Sequence, residues 1–497
     1  MNRLARPAPF RQRVRRLFFP PGPPQRFQEL IISRGVVILA AAVVGLILGI
    51  QWFQVNPRIV KTLIGLIVFF VFVRFPVYMG VGAFLLLYPY PTAIALGNTN
   101  FVFAILFTMV WIVKVGLGLE PRPQGSLVGK PIFFLLVAHA LSLIVLPEWM
   151  DFKETFAFQQ FLLAAVLMYT VMTNTVTTPK RLHYIFHMLT IGSIIVNVQS
   201  VLQFIAPTLR IIPEWYYSSP ALGAAVEFGG RVGGVFRSHP LLADSAAMMI
   251  LLQLFMASRC AGKPWQRLYH FGVIGLAIIT LFITVNRGGM VILVLGLAII
   301  GWHLRRELKF SRIAIAASAL VLVFIIAEAV TSGRYEQEVT MFSRLAGTRF
   351  ESLMPENRAV VWIAYWAWIL ESPFIGHGPR IDTTVLGFWP HNAYLFYAYT
   401  VGFLGMSIFL FIILKSIIKT RPRGRVSWTR GSYVKGALLL VHVMLIQFAV
   451  GQLRTDHQRG NVFIYLTYSL LAQASIVYRL SEKEDKRRRS LTRNRQV

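Results

Sequence analysis

The hydrophobic positions of this chain fall into long apolar runs separated by short polar or basic segments. Many of these runs approach the ~20 residues that a helix needs to cross ~30 Å of hydrocarbon. A regular alternation of apolar and polar positions, which is typical of barrel strands, is absent from the sequence. Because backbone polar groups must be hydrogen-bonded within lipid, the pattern predicts an all-α polytopic membrane protein.

The apolar runs predict about twelve to fourteen transmembrane helices, and the first two or three runs give the weakest signal. Composition agrees with this class, since 56% of the residues are hydrophobic and the mean hydropathy is +0.61. The fourteen predicted spans are residues 35–53, 62–73, 75–89, 100–116, 130–147, 158–175, 184–206, 241–258, 268–286, 289–304, 312–330, 393–417, 436–453 and 461–478.

Polar segments divide these spans into blocks and leave one long loop. We expect a basic cytoplasmic tail at 1–34, eleven helices at 35–330, a large extracytoplasmic loop at 331–392, three helices at 393–478 and a second basic tail at 479–497.

Within the long loop, residues 357–370 have helical length and are rich in Trp and Tyr. This segment is too short to span the bilayer, so we expect the loop to contain short interfacial helices. An amphipathic helix that only packs against the protein is the alternative.

Charge predicts the orientation of the chain in the membrane. The sequence has 50 Lys and Arg against 20 Asp and Glu, a formal net charge of +30. Lys and Arg are retained on the cytoplasmic side of membrane proteins. With the N-terminus inside, this net charge falls on the cytoplasmic face, so both termini are predicted to be cytoplasmic. The basic clusters flank spans, which indicates contact with anionic membrane lipids and no nucleic-acid partner.

Several classes of site are excluded by the residues that are missing. Cys260 is the single cysteine, so the chain has no internal disulfide and no thiolate metal site. The sequence contains neither a Gly-x-x-x-x-Gly-Lys phosphate loop nor a His-Glu-x-x-His motif. These absences argue against an ATP-driven pump and against a zinc hydrolase.

Arg287 lies between two apolar runs, in the segment Asn286-Arg287-Gly288-Gly289. Glycines at the start of a helix leave backbone N–H groups open to an anion, and the helix dipole favours negative charge there. A guanidinium beside them binds a phosphate through two hydrogen bonds. The alternative is an arginine that only extends to the membrane interface.

Arginine and glycine occur together a second time, at Arg231 and Arg237 in the segment 230–240. A glycine-rich turn is weak evidence alone. In the last outer turn, Arg454 and Asp456 are candidates to orient the acceptor or His391, and a plain solvated turn is the simpler interpretation.

His391 lies where the long loop re-enters the membrane, in Trp389-Pro390-His391-Asn392. A neutral imidazole at this position takes a proton from an attacking hydroxyl. The alternative is a histidine that caps the next helix or fills a hydrated interface. We interpret His139, His187 and His442 as structural because each is alone in an apolar span, and His377 is intermediate.

Four motifs follow one another between residues 287 and 395: the pair Arg287-Gly288, the stretch 357–362 (NRAVVW), the stretch 371–378 (ESPFIGHG) and the stretch 391–395 (HNAYL). In order and spacing they resemble the O-antigen ligase and polymerase superfamily of bacterial inner-membrane glycosyltransferases. The resemblance implies that His391 is the catalytic base and that Arg287 and Arg358 bind the donor diphosphate. Further candidates for substrate binding are Arg231, Arg237, Asn392, His377 and Asp456.

The resemblance also implies the substrates. The donor would be an undecaprenyl-diphosphate-linked glycan on the outer face of the inner membrane, and the acceptor a hydroxyl of a glycan or lipid. Arginines would stabilise the leaving group in place of a metal, so no metal and no other cofactor is expected. The acceptor is left open by the sequence.

Two other function classes compete with this interpretation. A transporter or flippase of lipid-linked glycan would also bind diphosphate with arginines, but it should show repeated halves and ionisable residues through mid-membrane. Here the halves do not match, and the polar residues gather on the outer side. A membrane scaffold leaves the combination of Arg287, Arg358 and His391 unexplained.

Overall fold

The structure of the chain is a computed structural model, and all its regular elements in the described residues are helical. The described residues are 75–87, 99–145, 152–205, 232–236, 238–307, 356–378, 381, 389–424, 426–455 and 463–493. The predicted spans 35–53, 62–73 and 312–330 lie outside them.

Twelve α-helices occur in the described residues. They are α1 Val77–Leu87, α2 Thr99–Gly116, α3 Gly129–Ser142, α4 Phe152–Thr175, α5 Pro179–Ile205, α6 His239–Arg259, α7 Pro264–Ile283, α8 Arg287–Leu304, α9 Glu356–Glu371, α10 Ala393–Thr420, α11 Tyr433–Gln452 and α12 Phe463–Arg493. Two 3-10 turns accompany them, Leu143–Val145 after α3 and Gly234–Phe236 before α6.

Six of the described helices, α5, α6, α7, α8, α10 and α11, are long and apolar enough to cross a membrane. Shorter apolar helices occur at α1, α2 and α3. This arrangement confirms the predicted all-α polytopic membrane protein. Each predicted span within the described residues coincides with a helix, and α9 coincides with the predicted helix at 357–370.

The centre of the helical assembly is α6. In its most apolar stretch 89% of the residues are buried, compared with 33% in α8. The helix packs against α7, α8 and α11. Its small residues Ala243, Ala246 and Ala247 are almost fully buried, and small side chains let helix backbones approach closely in a membrane.

Helix ends differ from the predicted spans where charged residues begin. The last predicted span ends at residue 478, but α12 continues to Arg493. Its extension is stabilised by ion pairs, in which Arg488 contacts Glu484 at 2.8 Å and Lys435 of α11 contacts Asp485 at 2.9 Å. Hydropathy marks where the lipid ends, whereas backbone hydrogen bonds decide where a helix ends.

Helix α10 is kinked at Val401 and Gly402, and the loop after α9 fills the kink. The backbone N–H of Phe403 donates to the carbonyl of Pro373 at 2.7 Å, and the N–H of His377 donates to the carbonyl of Tyr399 at 2.8 Å. Backbone groups released by the kink are therefore satisfied by this loop. These hydrogen bonds connect the loop after α9 to the kinked part of α10.

Gly402 is required at this contact. Its φ is +69°, and a Cβ would overlap the backbone of Phe374. We expect Gly402→Ala to destabilise the protein by more than the ~1–3 kcal/mol of the strained φ alone. Gly424→Ala is the matched control, since Gly424 has a φ of +78° and open space around it. Thermal unfolding in detergent tests this, and equal losses of stability in the two variants would contradict it.

Candidate functional site

The candidate site begins at the turn between α7 and α8. Val285 is buried and has a φ of 47°, an unfavourable conformation for a β-branched residue. Asn286 caps α8, because its side-chain oxygen accepts a hydrogen bond from the N–H of Gly289 at 3.0 Å. Arg287 is thereby the first residue of α8, and it is half-buried.

Arg454, just beyond the end of α11, connects three helices at this turn. Its guanidinium donates to the side-chain oxygen of Asn286 at 2.8 Å and forms an ion pair with Asp244 of α6. Asp244 is completely buried. The guanidinium also lies against Gly288, where a Cβ would overlap it. The two residues that flank Arg287 therefore both contact Arg454.

Helix α9 contributes another guanidinium, that of Arg358. Arg358 is half-buried. Burial is the main reason that the pKa of its guanidinium is lowered, and the positive charge of Arg454 lowers this pKa further. One helical turn later, the indole N–H of Trp362 donates to the carbonyl of Pro390 at 2.8 Å. Because residues i and i+4 share a helix face, Arg358 lies on the face of α9 whose Trp362 contacts the segment that holds His391.

His391 is presented on a fixed backbone. Its φ is 48°, and its side chain is exposed. Asn392 follows it as the cap of α10 and accepts hydrogen bonds from the N–H groups of Tyr394 at 2.9 Å and Leu395 at 3.2 Å. The Tyr394 hydroxyl donates to the carbonyl of Ala449 in α11 at 3.0 Å.

His239 is the last residue of this group. It is the first residue of α6 and interacts electrostatically with both Arg454 and His391. We call the resulting set of side chains the polar cluster. Its members are His239, Asp244, Asn286, Arg287, Arg358, His391 and Arg454.

The structure thus connects Arg358 and His391 to the cluster through electrostatic interactions and places Arg287 next to the Asn286 cap. It gives other roles to two further predicted residues. Asn392 is buried and occupied in capping α10. The ring of His377 stacks on Tyr399 at 4.8 Å, and its Nε2 lies 2.7 Å from the carbonyl of Trp368. These contacts fasten the loop to the kink of α10, so we leave His377 out of the polar cluster.

Three predicted residues, Arg231, Arg237 and Asp456, lie outside the described residues. The adjoining segment is nevertheless close to the cluster, since the N–H of Val232 donates to the carbonyl of Ile283 at the end of α7. Within the described part of the chain, no three His, Cys, Asp or Glu side chains lie together as a metal site requires.

The interpretation of Arg454 as part of a solvated turn was wrong, because its guanidinium is paired inside the protein. Asp244 and His239 were not predicted at all. A signal for Asp244 was available, since an acidic residue inside an apolar span is a functional candidate by default.

Comparison with known proteins supports the resemblance that the motifs indicate. Residues 272–410 match the family model described as O-antigen ligase. The matched part contains Arg287, Arg358 and His391, whereas His239, Asp244 and Arg454 lie outside it. A search of curated proteins gives no match. Residues 272–410 are therefore similar to an O-antigen ligase domain, and in a multi-pass membrane protein this similarity supports a ligase- or polymerase-type role in polysaccharide synthesis.

Proposed function

We propose that this protein is a glycosyltransferase that transfers a glycan from an undecaprenyl-diphosphate-linked donor to an acceptor hydroxyl. The reaction takes place on the periplasmic face of a bacterial inner membrane and serves surface polysaccharide synthesis, whether of O-antigen, lipopolysaccharide or exopolysaccharide. The observation that carries the proposal is the polar cluster, in which Arg358 and Arg454 interact electrostatically and His239 interacts with both Arg454 and His391.

The arginines of the cluster favour a multiply charged anion. Burial lowers the pKa of the Arg358 guanidinium most, and repulsion from the positive charge of Arg454 lowers it further. A diphosphate between them relieves this repulsion and accepts charge-assisted hydrogen bonds from each guanidinium. Arg287 lies at the N-terminus of α8, where the helix dipole adds to the positive potential.

The transfer requires one proton acceptor and one stabilised leaving group. The imidazole of His391 takes the proton of the acceptor hydroxyl as its oxygen bonds to the anomeric carbon. The bond between that carbon and the diphosphate oxygen breaks, and the lipid diphosphate leaves with the electron pair. Arg287, Arg358 and Arg454 stabilise this developing charge, a role that a divalent cation has in other transferases, so the proposal needs no cofactor.

His391→Ala should lower transfer at least ~100-fold, the usual contribution of a general base, while donor binding persists. We would measure release of polyprenyl diphosphate from a purified lipid-linked oligosaccharide by reconstituted protein, with a chelator present. His303→Ala is the control, since His303 is exposed near the opposite end of α8. Movement of the lipid across the bilayer without release would show a transporter instead.

Arg287→Lys should also be severely impaired, by at least ~10-fold, because an ammonium cannot reproduce the two parallel hydrogen bonds of a guanidinium. The same release assay measures this effect. Arg267→Lys, an exposed position in α7, controls for the substitution itself. Turnover equal to that of the wild type would remove Arg287 from the diphosphate site.

Gly288→Ala tests Arg454 without changing any charge. The new methyl group would displace the Arg454 guanidinium, so we expect transfer to fall by roughly 10-fold, as a misplaced charged contact costs on the order of 1.4 kcal/mol or more. Gly301→Ala in the same helix has the same helix-forming preference and open space around it. If both variants keep full activity, Arg454 does not act on the substrate.

A further inference from the structure

We propose that a groove between α3 and α10 binds an anionic glycerophospholipid of the surrounding bilayer, with its headgroup at Lys130 and Lys415. The groove has a volume of about 600 Å³. That volume lies within the ~300–1,000 Å³ of ordinary ligand pockets. This inference does not rest on the glycosyl transfer proposed above.

The groove is lined by residues of α3 and α10, which correspond to the fifth and twelfth predicted spans and are therefore predicted to cross the membrane in opposite directions. Lys130 and Lys415 line one end of it, and Leu141 and Leu404 line the other. From Leu404 to Lys415 an α-helix rises roughly 16 Å, at ~1.5 Å per residue. This length is about half of the ~30 Å hydrocarbon thickness, so the groove accommodates one acyl chain within a single leaflet.

The walls of the groove are apolar and open to the membrane. Phe134 and Phe411 are each more than half exposed, at 56% and 52%. Where the helices are closest, a Cβ at Gly405 would lie 3.8 Å from the Cβ of Ala138. Small residues at the floor and large ones at the rim give a channel that fits a hydrocarbon chain.

The lysines give the groove a charge preference. No acidic residue lines it, and neither lysine forms a salt bridge within the described part of the chain. The ammonium of Lys415 lies 5.3 Å from the ring centre of Phe411, above the apolar wall. Two ammonium groups at one end of an apolar groove favour a phosphate whose lipid chain lies in that groove, as basic pockets between transmembrane helices do.

A helix of this chain is the other occupant to consider, because the predicted spans 35–53, 62–73 and 312–330 lie outside the described residues. Each of them has an arginine at the end predicted for the lysine side of the membrane: Arg34, Arg74 and Arg312. Such a helix would add a third positive charge beside the two lysines. An anionic lipid adds the opposite charge, so electrostatics favour the lipid.

A lipid bound in the groove affects the polar cluster at the other end of α10 through the packing of that helix. Residues 404–415 contact the lipid, and α10 begins directly after His391 and Asn392. The kink at Val401 and Gly402 separates these two parts of the helix. A lipid that fills the groove stabilises the packing of α10 on α3 and with it the position of the helix that presents His391.

The first test compares lipid retention in nanodiscs of phosphatidylcholine containing phosphatidylglycerol. We expect Lys130→Ala with Lys415→Ala to lose bound phosphatidylglycerol by about fivefold or more in native mass spectrometry, since both headgroup charges are removed. The control removes two exposed lysines of the same face, Lys180→Ala with Lys263→Ala, and should retain the lipid. Equal loss in both variants, or retention in both, would overturn the proposal.

The second test detects the occupant of the groove directly, by crosslinking. A photoreactive p-benzoylphenylalanine replaces Ser407, which is exposed and lines the groove. The expected product is a phospholipid adduct that is lost when Lys130 and Lys415 are both alanine and kept when both are arginine. A crosslink to a peptide from 35–53, 62–73 or 312–330 would show that the chain itself fills the groove.

Discussion

The ion pair between Arg454 and Asp244 is the contact on which the arrangement of the site depends. Asp244 is completely buried in the most central helix, and an unpaired carboxylate there would be strongly destabilising. Arg454 neutralises it from the end of α11 and uses a second nitrogen to contact the cap of α8. One guanidinium therefore sets the relative positions of α6, α8 and α11. Such a pair contributes position more than net stability, because its desolvation offsets much of its attraction.

The remaining parts of the site are placed by backbone geometry. Two residues other than glycine in the described chain have positive φ, Val285 and His391, and each directly precedes the asparagine that caps a helix. The same local device thus starts α8 and α10, and in both cases it places a functional candidate beside the cap. Strain of this kind persists where the surrounding packing fixes it. Here the packing is supplied by α6, α11 and the loop that fills the kink of α10.

The two ends of α10 meet different chemistry. At its start lies the exposed side chain of His391, a member of the polar cluster, and near its end Lys415 lines the apolar groove that we propose binds a lipid. The kink between them is filled by a loop that also carries α9 and hence Arg358. A single helix therefore connects the arginines of the site, the histidine and the lipid-facing surface. Changes in packing at one end have a direct structural route to the other.

The helices and the family resemblance of this protein could be predicted from its sequence alone. The apolar runs predict the helices because the length and hydropathy of a span are local properties. The order of motifs around Arg287, Arg358 and His391 indicates the O-antigen ligase family, which the match at residues 272–410 supports. Contacts between distant helices are a different matter. Asp244 and Arg454 are 210 positions apart, and no local pattern joins them. The same holds for His377, whose role depends on a kink in another helix. Only the tertiary structure decided which polar side chains meet. Packing brings together residues that are far apart in the chain, and the local sequence around each of them does not indicate its partner.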